Sequence, residues 1–146
     1  MNKNLTLIIY AVVALVVIVF LAAILKKLGV FKSKDKKEAE ADLAEIREAD
    51  YFNPAYYRTV KFKPLGTNQS EAFAKQIRKS LRGAGTDEEA IYSVFNQMYN
   101  KTNISEVADA YYMEYKKDMK TDILNDLSEK EVSVLMNIIK KKPLNT

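Results

Sequence analysis

Two kinds of apolar pattern divide the chain. Residues 5–25, opening on Leu5 and closing on Leu25, read LTLIIYAVVALVVIVFLAAIL, without a charge, a proline or a glycine. Beyond residue 70 the apolar positions recur instead every three or four residues. The first pattern has no polar face, so a helix built from it cannot rest one side on a core and turn the other to water. At 1.5 Å per residue it would be roughly 31 Å long, about the thickness of a bilayer's hydrocarbon, where a helix satisfies its own backbone. It predicts a transmembrane anchor over residues 1–25. A cleaved secretory signal is the rival. Signals usually have an apolar stretch of about 7–15 residues ending at a small-residue site, whereas this run is longer and meets Lys26 and Lys27 directly.

The second pattern predicts five amphipathic helices within residues 70–146. Phe73, Ile77 and Leu81 repeat at four, and Ile91, Val94, Phe95 and Met98 form one face. Ile104, Val107, Tyr111 and Tyr115 form the next, followed by Met119, Ile123 and Leu127, then Val132, Leu135, Met136 and Ile139. Three pairs, Thr86 with Glu89, Asn103 with Glu106 and Ser128 with Glu131, have the spacing of capping boxes. Gly83 and Gly85 suit a left-handed helix stop. Val134 and Ile138 give the last helix a second apolar face and mark it as the most buried. Lys140, Lys141, Lys142 and Pro143 then end it.

Between the two patterns, residues 26–50 form a basic juxtamembrane stretch and a spacer helix. In that helix Ala39, Leu43 and Ile46 make only a narrow stripe, fit for a solvated spacer or for packing one edge on the domain. Residues 51–69 have no period. Pro54, Pro64 and Gly66 break any helix, while Tyr51, Phe52, Tyr56, Tyr57 and Phe62 suggest an extended aromatic strap laid against the domain. The fold class expected is all-α.

Composition narrows the chemistry. The chain lacks cysteine and histidine, which excludes disulfides, thiolate nucleophiles, histidine-based zinc sites and the Ser-His-Asp triad. No catalytic constellation stands out, so no enzymatic activity is expected. The net charge is +4, but residues 71–146 hold 12 basic and 12 acidic side chains while residues 1–70 hold 11 and 7. The excess therefore lies before the helical region, where a nucleic-acid binder would not concentrate it. One lysine, Lys3, precedes the apolar run, and Lys26, Lys27, Lys32, Lys34, Lys36 and Lys37 follow it. The positive-inside rule then predicts a single-pass membrane protein with its C-terminal domain in the cytoplasm.

The stretch LRGAGTDEEAIYSVF, residues 81–95, resembles the first half of an annexin repeat: a basic residue, Gly-x-Gly-Thr-Asp-Glu, then an apolar helix. DMKTDILNDLSEKEVSVLMNII, residues 118–139, resembles the second half. The likeness covers residues 70–143, a single repeat where annexins have four, behind an anchor that annexins lack. Small domains of bacterial and bacteriophage proteins are similar. The resemblance implies a five-helix domain and a calcium site bridging to phospholipid headgroups. Its ligands would be the carbonyls of Leu81, Gly83 and Gly85 and the carboxylate of Asp126, after allowing one extra residue near Asn100 and Asn103. The same glycines also serve simply to turn the chain, and a bilayer anchor makes a calcium bridge redundant. The main expectation is therefore a structural loop with no cofactor and no calcium site tighter than about millimolar.

These features predict a non-enzymatic scaffold or interaction module held at a lipid bilayer, with a protein partner or oligomer. A setting that fits is a bacterial or bacteriophage structural component, in the membrane of a virion. The alternatives are a calcium-dependent phospholipid binder and a lysis or cell-wall accessory factor.

Overall fold

The computed structural model describes residues 34–83 and 85–145. The anchor expected at residues 1–25, with Leu5, Leu25 and the flanking Lys26 and Lys27, lies outside the described residues. Among those described, no helix is long and apolar enough to cross a membrane. The chain divides into the units Met1–Lys37 and Glu38–Thr146, and the fold that carries the candidate site is the second.

The described residues form six α-helices and two 3-10 turns, with no strand. The helices are α1 (Lys34–Glu48), α2 (Thr67–Ser80), α3 (Glu88–Gln97), α4 (Thr102–Tyr115), α5 (Met119–Asp126) and α6 (Glu129–Lys140). The last five carry the periodic apolar faces. Phe73, Ile77, Ile91, Val94, Phe95, Ile104, Val107, Tyr111, Met119, Ile123, Val132, Leu135, Met136 and Ile139 close into one core. Lys142, just past α6, donates to the carbonyls of Met98 at 2.6 Å and Asn96 at 3.2 Å, closing the end of α3. Burial holds its pKa below the ordinary lysine value.

The most buried helix is α4, not α6. Val134 of α6 is exposed and Ile138 only half-buried, whereas α4 buries seven residues from Thr102 through Tyr111. The reason is position: α4 packs on α2, on α5 and on both 3-10 turns of the strap. A helix enclosed on several sides buries polar positions as well, here Thr102, Asn103 and Ser105.

Those polar positions hold the strap. Ser105 Oγ donates to the Asn53 carbonyl and accepts from the Tyr57 N–H at 3.0 Å. Glu106 receives the N–H groups of Leu65 and Gly66, each at 2.9 Å. Asn103 donates to the Lys63 carbonyl at 2.8 Å. Tyr51 and Phe52 are buried, and the Phe52 ring lies 6.3 Å from that of Phe95. The strap is not uniformly extended, as its lack of period suggested. It folds into 3-10 turns at Asp50–Phe52 and Tyr56–Thr59, the second entered through Asn53, whose side chain accepts from the Ala55 N–H at 2.9 Å across Pro54. Helix α2 already begins at Thr67.

Of the three capping boxes, only Ser128 with Glu131 forms, with Ser128 N–H donating to Glu131 at 2.7 Å. The hydrogen bonds from Ser128 hold the Glu131 carboxyl below its usual pKa. At α3 the cap is Asp87, one residue nearer, which accepts from Ala90 N–H at 3.1 Å. At α4, Asn103 lies inside the helix and accepts from the Tyr99 and Asn100 N–H groups, while Glu106 is drawn away to the strap.

Helix α1 settles the choice between spacer and packed edge. Ala39, Asp42 and Ile46 are buried, and Leu43 is packed at the margin. The inward stripe thus centres on an acid. Asp42 accepts from Ser133 Oγ at 2.6 Å and from Lys140 Nζ, both on α6. An unpaired buried carboxylate would be costly, and this pair supplies its hydrogen bonds.

Candidate functional site

The connection from α2 to α3 is a loop pinched at its base. Asp87 N–H donates to the Ser80 carbonyl at 3.0 Å, and Arg82 N–H donates to Lys79 at 3.2 Å. Between these points the chain must reverse in a few residues, and the two glycines differ in conformation. Gly85 has φ +127°, a conformation open to glycine and strained for any side chain. Gly83 is not in that region, and α2 already ends at Ser80 with Leu81 as a right-handed cap, so neither glycine is the expected left-handed helix stop. A Cβ on Gly83 would stand 3.4 Å from the Gly85 carbonyl oxygen, at the edge of ordinary contact.

The loop touches a second one. Thr86 Oγ1, freed from capping α3, lies 3.4 Å from the Asp126 carbonyl at the end of α5. Near Asn100, where the resemblance calls for one extra residue, the chain forms a turn in which Asn103 N–H donates to the Asn100 side chain at 3.0 Å and the Lys101 and Thr102 N–H groups donate to the carbonyls of Pro143 and Leu144.

Of the four expected ligand residues, Leu81 is buried at 9 % exposure, and Gly83, Gly85 and Asp126 are exposed. They therefore fall on two loops in contact. The Asp126 carboxylate has neither an ion pair nor a hydrogen bond among the described residues. No cluster of three or more acidic side chains able to hold a metal occurs among them either. A cation here would thus rely on backbone carbonyls with one carboxylate, which suits a hard, oxygen-seeking ion such as calcium.

Beside this loop lies a hollow of about 580 Å³ lined by Lys75, Lys79 and Arg82 together with Gly85 and Asp87. None of the three cations forms an ion pair among the described residues. Sequence reasoning overlooked them, although a spacing of four places Lys75 and Lys79 on one face of α2, with Arg82 just beyond its end. Arg78, off that face, is committed to the fold. It pairs with Asp122 at 2.8 Å and donates to Tyr111 Oη at 3.2 Å, while Tyr111 donates to Asp122 at 2.7 Å. The site therefore offers a residue with an unpaired carboxylate in contact with the glycine loop, and a hollow lined by three unpaired cations next to that loop.

Comparison with known proteins bears on the same region. Residues 72–138 match the family model described as Annexin. Annexin A3 of Rattus norvegicus is 38% identical over 55 residues, which is 38% of this chain and 17% of that protein. Annexin A3 of Mus musculus matches at the same identity and coverage, and that of Homo sapiens is 36% identical over 55 residues. The chain thus spans only 17% of the length of these relatives. No solved structure matches.

Proposed function

We propose that the helical unit binds anionic phospholipid surfaces in a calcium-dependent manner, as a binding module and not as a catalyst. The observation that carries this reading is the contact of Thr86 Oγ1 with the Asp126 carbonyl, which brings a residue with an unpaired carboxylate up to the end of the glycine loop. The annexin match over residues 72–138 supports it. In this reading the carbonyls of Leu81, Gly83 and Gly85 and the carboxylate of Asp126 supply oxygen ligands. The remaining positions around the ion are left to water and to phosphate oxygens of the lipid. Lys75, Lys79 and Arg82 add attraction to an anionic surface, about 1 kcal/mol each near it.

The apolar run of residues 5–25 supports a further element, a single-pass anchor with the helical unit on the cytoplasmic side. An anchor does not make the calcium site redundant. Tethering raises the effective concentration of lipid at the loop to about millimolar or above, so a weak site gains occupancy that it would lack in free solution. The two elements together describe a membrane-held scaffold whose contact with the lipid surface is adjustable by calcium.

The test separates the loop from the anchor. A fragment of residues 34–146 is mixed with vesicles containing phosphatidylserine and sedimented with calcium or with a chelator. Calcium at about millimolar, the weak end of its usual range, is expected to carry the fragment into the pellet. The chelator is expected to release it, and Asp126→Asn to abolish sedimentation while the helical circular dichroism is unchanged. Sedimentation indifferent to calcium and to Asp126→Asn would leave the loop a structural turn.

A further inference from the structure

At the opposite end of α2 from the glycine loop, two hollows of about 440 and 470 Å³ meet at Asp109 and Met113. The two regions occupy successive stretches of the 14-residue helix and adjoin at Lys75, which lines both. The joined groove runs between the first turns of α2, the outer face of α4 and the strap. Its character is unlike that of the basic hollow. Glu71, Glu106, Asp109, Glu114 and Asp118 line it, against the cations Arg58 and Lys75.

Several of these groups are occupied in making the walls. Arg58 is spent on Asp109 at 2.7 Å, which also accepts from Tyr57 Oη at 3.0 Å. Glu106 grips the strap, and Asp118 caps α5 through Thr121 N–H at 2.6 Å. Backbone amides orient the carboxylates of Glu106 and Asp118 but carry no neutralising charge. Glu71 and Glu114 are exposed and have no ion pair among the described residues. The floor is apolar where it faces outward: Met113 is 61% exposed and its neighbour Tyr112 48%. A flexible thioether beside an aromatic ring adapts to apolar side chains of varied shape.

We infer that this groove docks a cationic, amphipathic peptide segment of a protein partner. An apolar side chain of that segment would rest on Met113 and Tyr112, and its lysines or arginines would meet Glu71 and Glu114. Charge decides against the other candidates. An anionic membrane or a nucleic acid would be repelled by the net negative charge that remains once Arg58 and Lys75 are set against the five carboxylates, and a neutral apolar peptide would leave Glu71 and Glu114 without partners on burial. The inference shares no proposed calcium ligand with the calcium reading, and the two sites have only Lys75 in common. It would give the unit two unlike ends, a basic one for phosphate and an acidic one for a basic protein.

The experiment uses the full-length chain in zwitterionic micelles, with empty micelles as the blank. Fluorescence anisotropy follows a labelled lysine-rich peptide bearing two leucines, and an all-lysine peptide serves as the comparison. The leucine-bearing peptide is expected to bind about tenfold more tightly than the all-lysine one. Joint Glu71→Lys and Glu114→Lys should weaken it about tenfold or more, and Met113→Ser about fivefold, whereas Lys75→Glu should strengthen it. The altered positions are exposed, so unchanged circular dichroism is expected throughout. Equal binding of the two peptides, with no effect of Met113→Ser, would overturn the groove in favour of diffuse charge attraction. Binding that survives the double charge reversal would overturn it as well. So would sedimentation showing the protein as a dimer that the charge reversal splits, because the occupant would then be a second copy of the chain.

Discussion

Tyr51 sits in the core beside Phe52 with its hydroxyl enclosed and without a hydrogen-bond partner. A buried donor left unpaired costs free energy, and deleting it retains the ring's packing. Tyr51→Phe is therefore expected to raise stability by up to about 1 kcal/mol in chemical denaturation. The same burial shapes the alkaline limit of the fold. Desolvation first, then the charge of Glu45, pushes Tyr51 up to about 12, and desolvation with Glu131, Glu88 and Glu89 does the same to Tyr92. Tyr111 is raised too, by burial and by its bond to Asp122. A phenol whose folded pKa exceeds its unfolded value near 10 contributes stability in full below that value, and loses it as pH climbs through the folded pKa. The melting temperature should accordingly hold up to about pH 10 and fall between 10 and 12. Tyr51→Phe should make that fall shallower. A flat profile over this range would mean that the three rings are wetter than the fold implies.

At the scale of elements, α1 is held to the domain by Ile46 and by the pair of Asp42 with Lys140. The two partners differ in burial: Asp42 is 1 % exposed on its side chain, Lys140 41 %. Removing the acid leaves a lysine that can turn into water and that retains Glu45 at 3.2 Å. Removing the lysine strands a carboxylate in the interior with only Ser133 to solvate it. Lys140→Met is thus expected to cost about 3–5 kcal/mol, the range for an uncompensated buried charge, and Asp42→Asn about 1–3 kcal/mol. Equal losses by thermal denaturation would show that Asp42 is solvated.

For the whole molecule, the apolar run of residues 5–25 is proposed to anchor the chain in a bilayer. If it spans a bilayer, full-length protein should stay with membranes after high salt and after alkaline washing, since salt screens lysine contacts but not apolar burial. Washing near pH 11 ionises the raised tyrosines only in part, and retention depends on the anchor and not on the domain. Full-length protein in the alkaline supernatant would end the anchor proposal. A shorter product beginning beyond Ala23 would point to a cleaved signal.

The sequence by itself determined the helical class of residues 70–140. Helical periodicity placed Phe73, Ile91, Phe95, Ile104, Met119 and Leu135 inside, because a period near 3.6 with one apolar face admits one arrangement against a core. The glycine loop and Asp126 were legible through a motif, and the spacing of Ser128 and Glu131 through local capping chemistry. What sequence could not decide was which of several possible partners a polar side chain takes. Thr86 and Glu106 had the spacing to cap helices, yet one reaches Asp126 and the other holds the strap. Asp42 stood among the acids of a solvated-looking helix and is buried because Ser133 and Lys140, more than ninety positions away, meet it. The basic hollow and the acidic groove are of the same kind. Periodicity reports which face of a helix is apolar, but the polar face acquires its chemistry only from the elements that the fold brings alongside it.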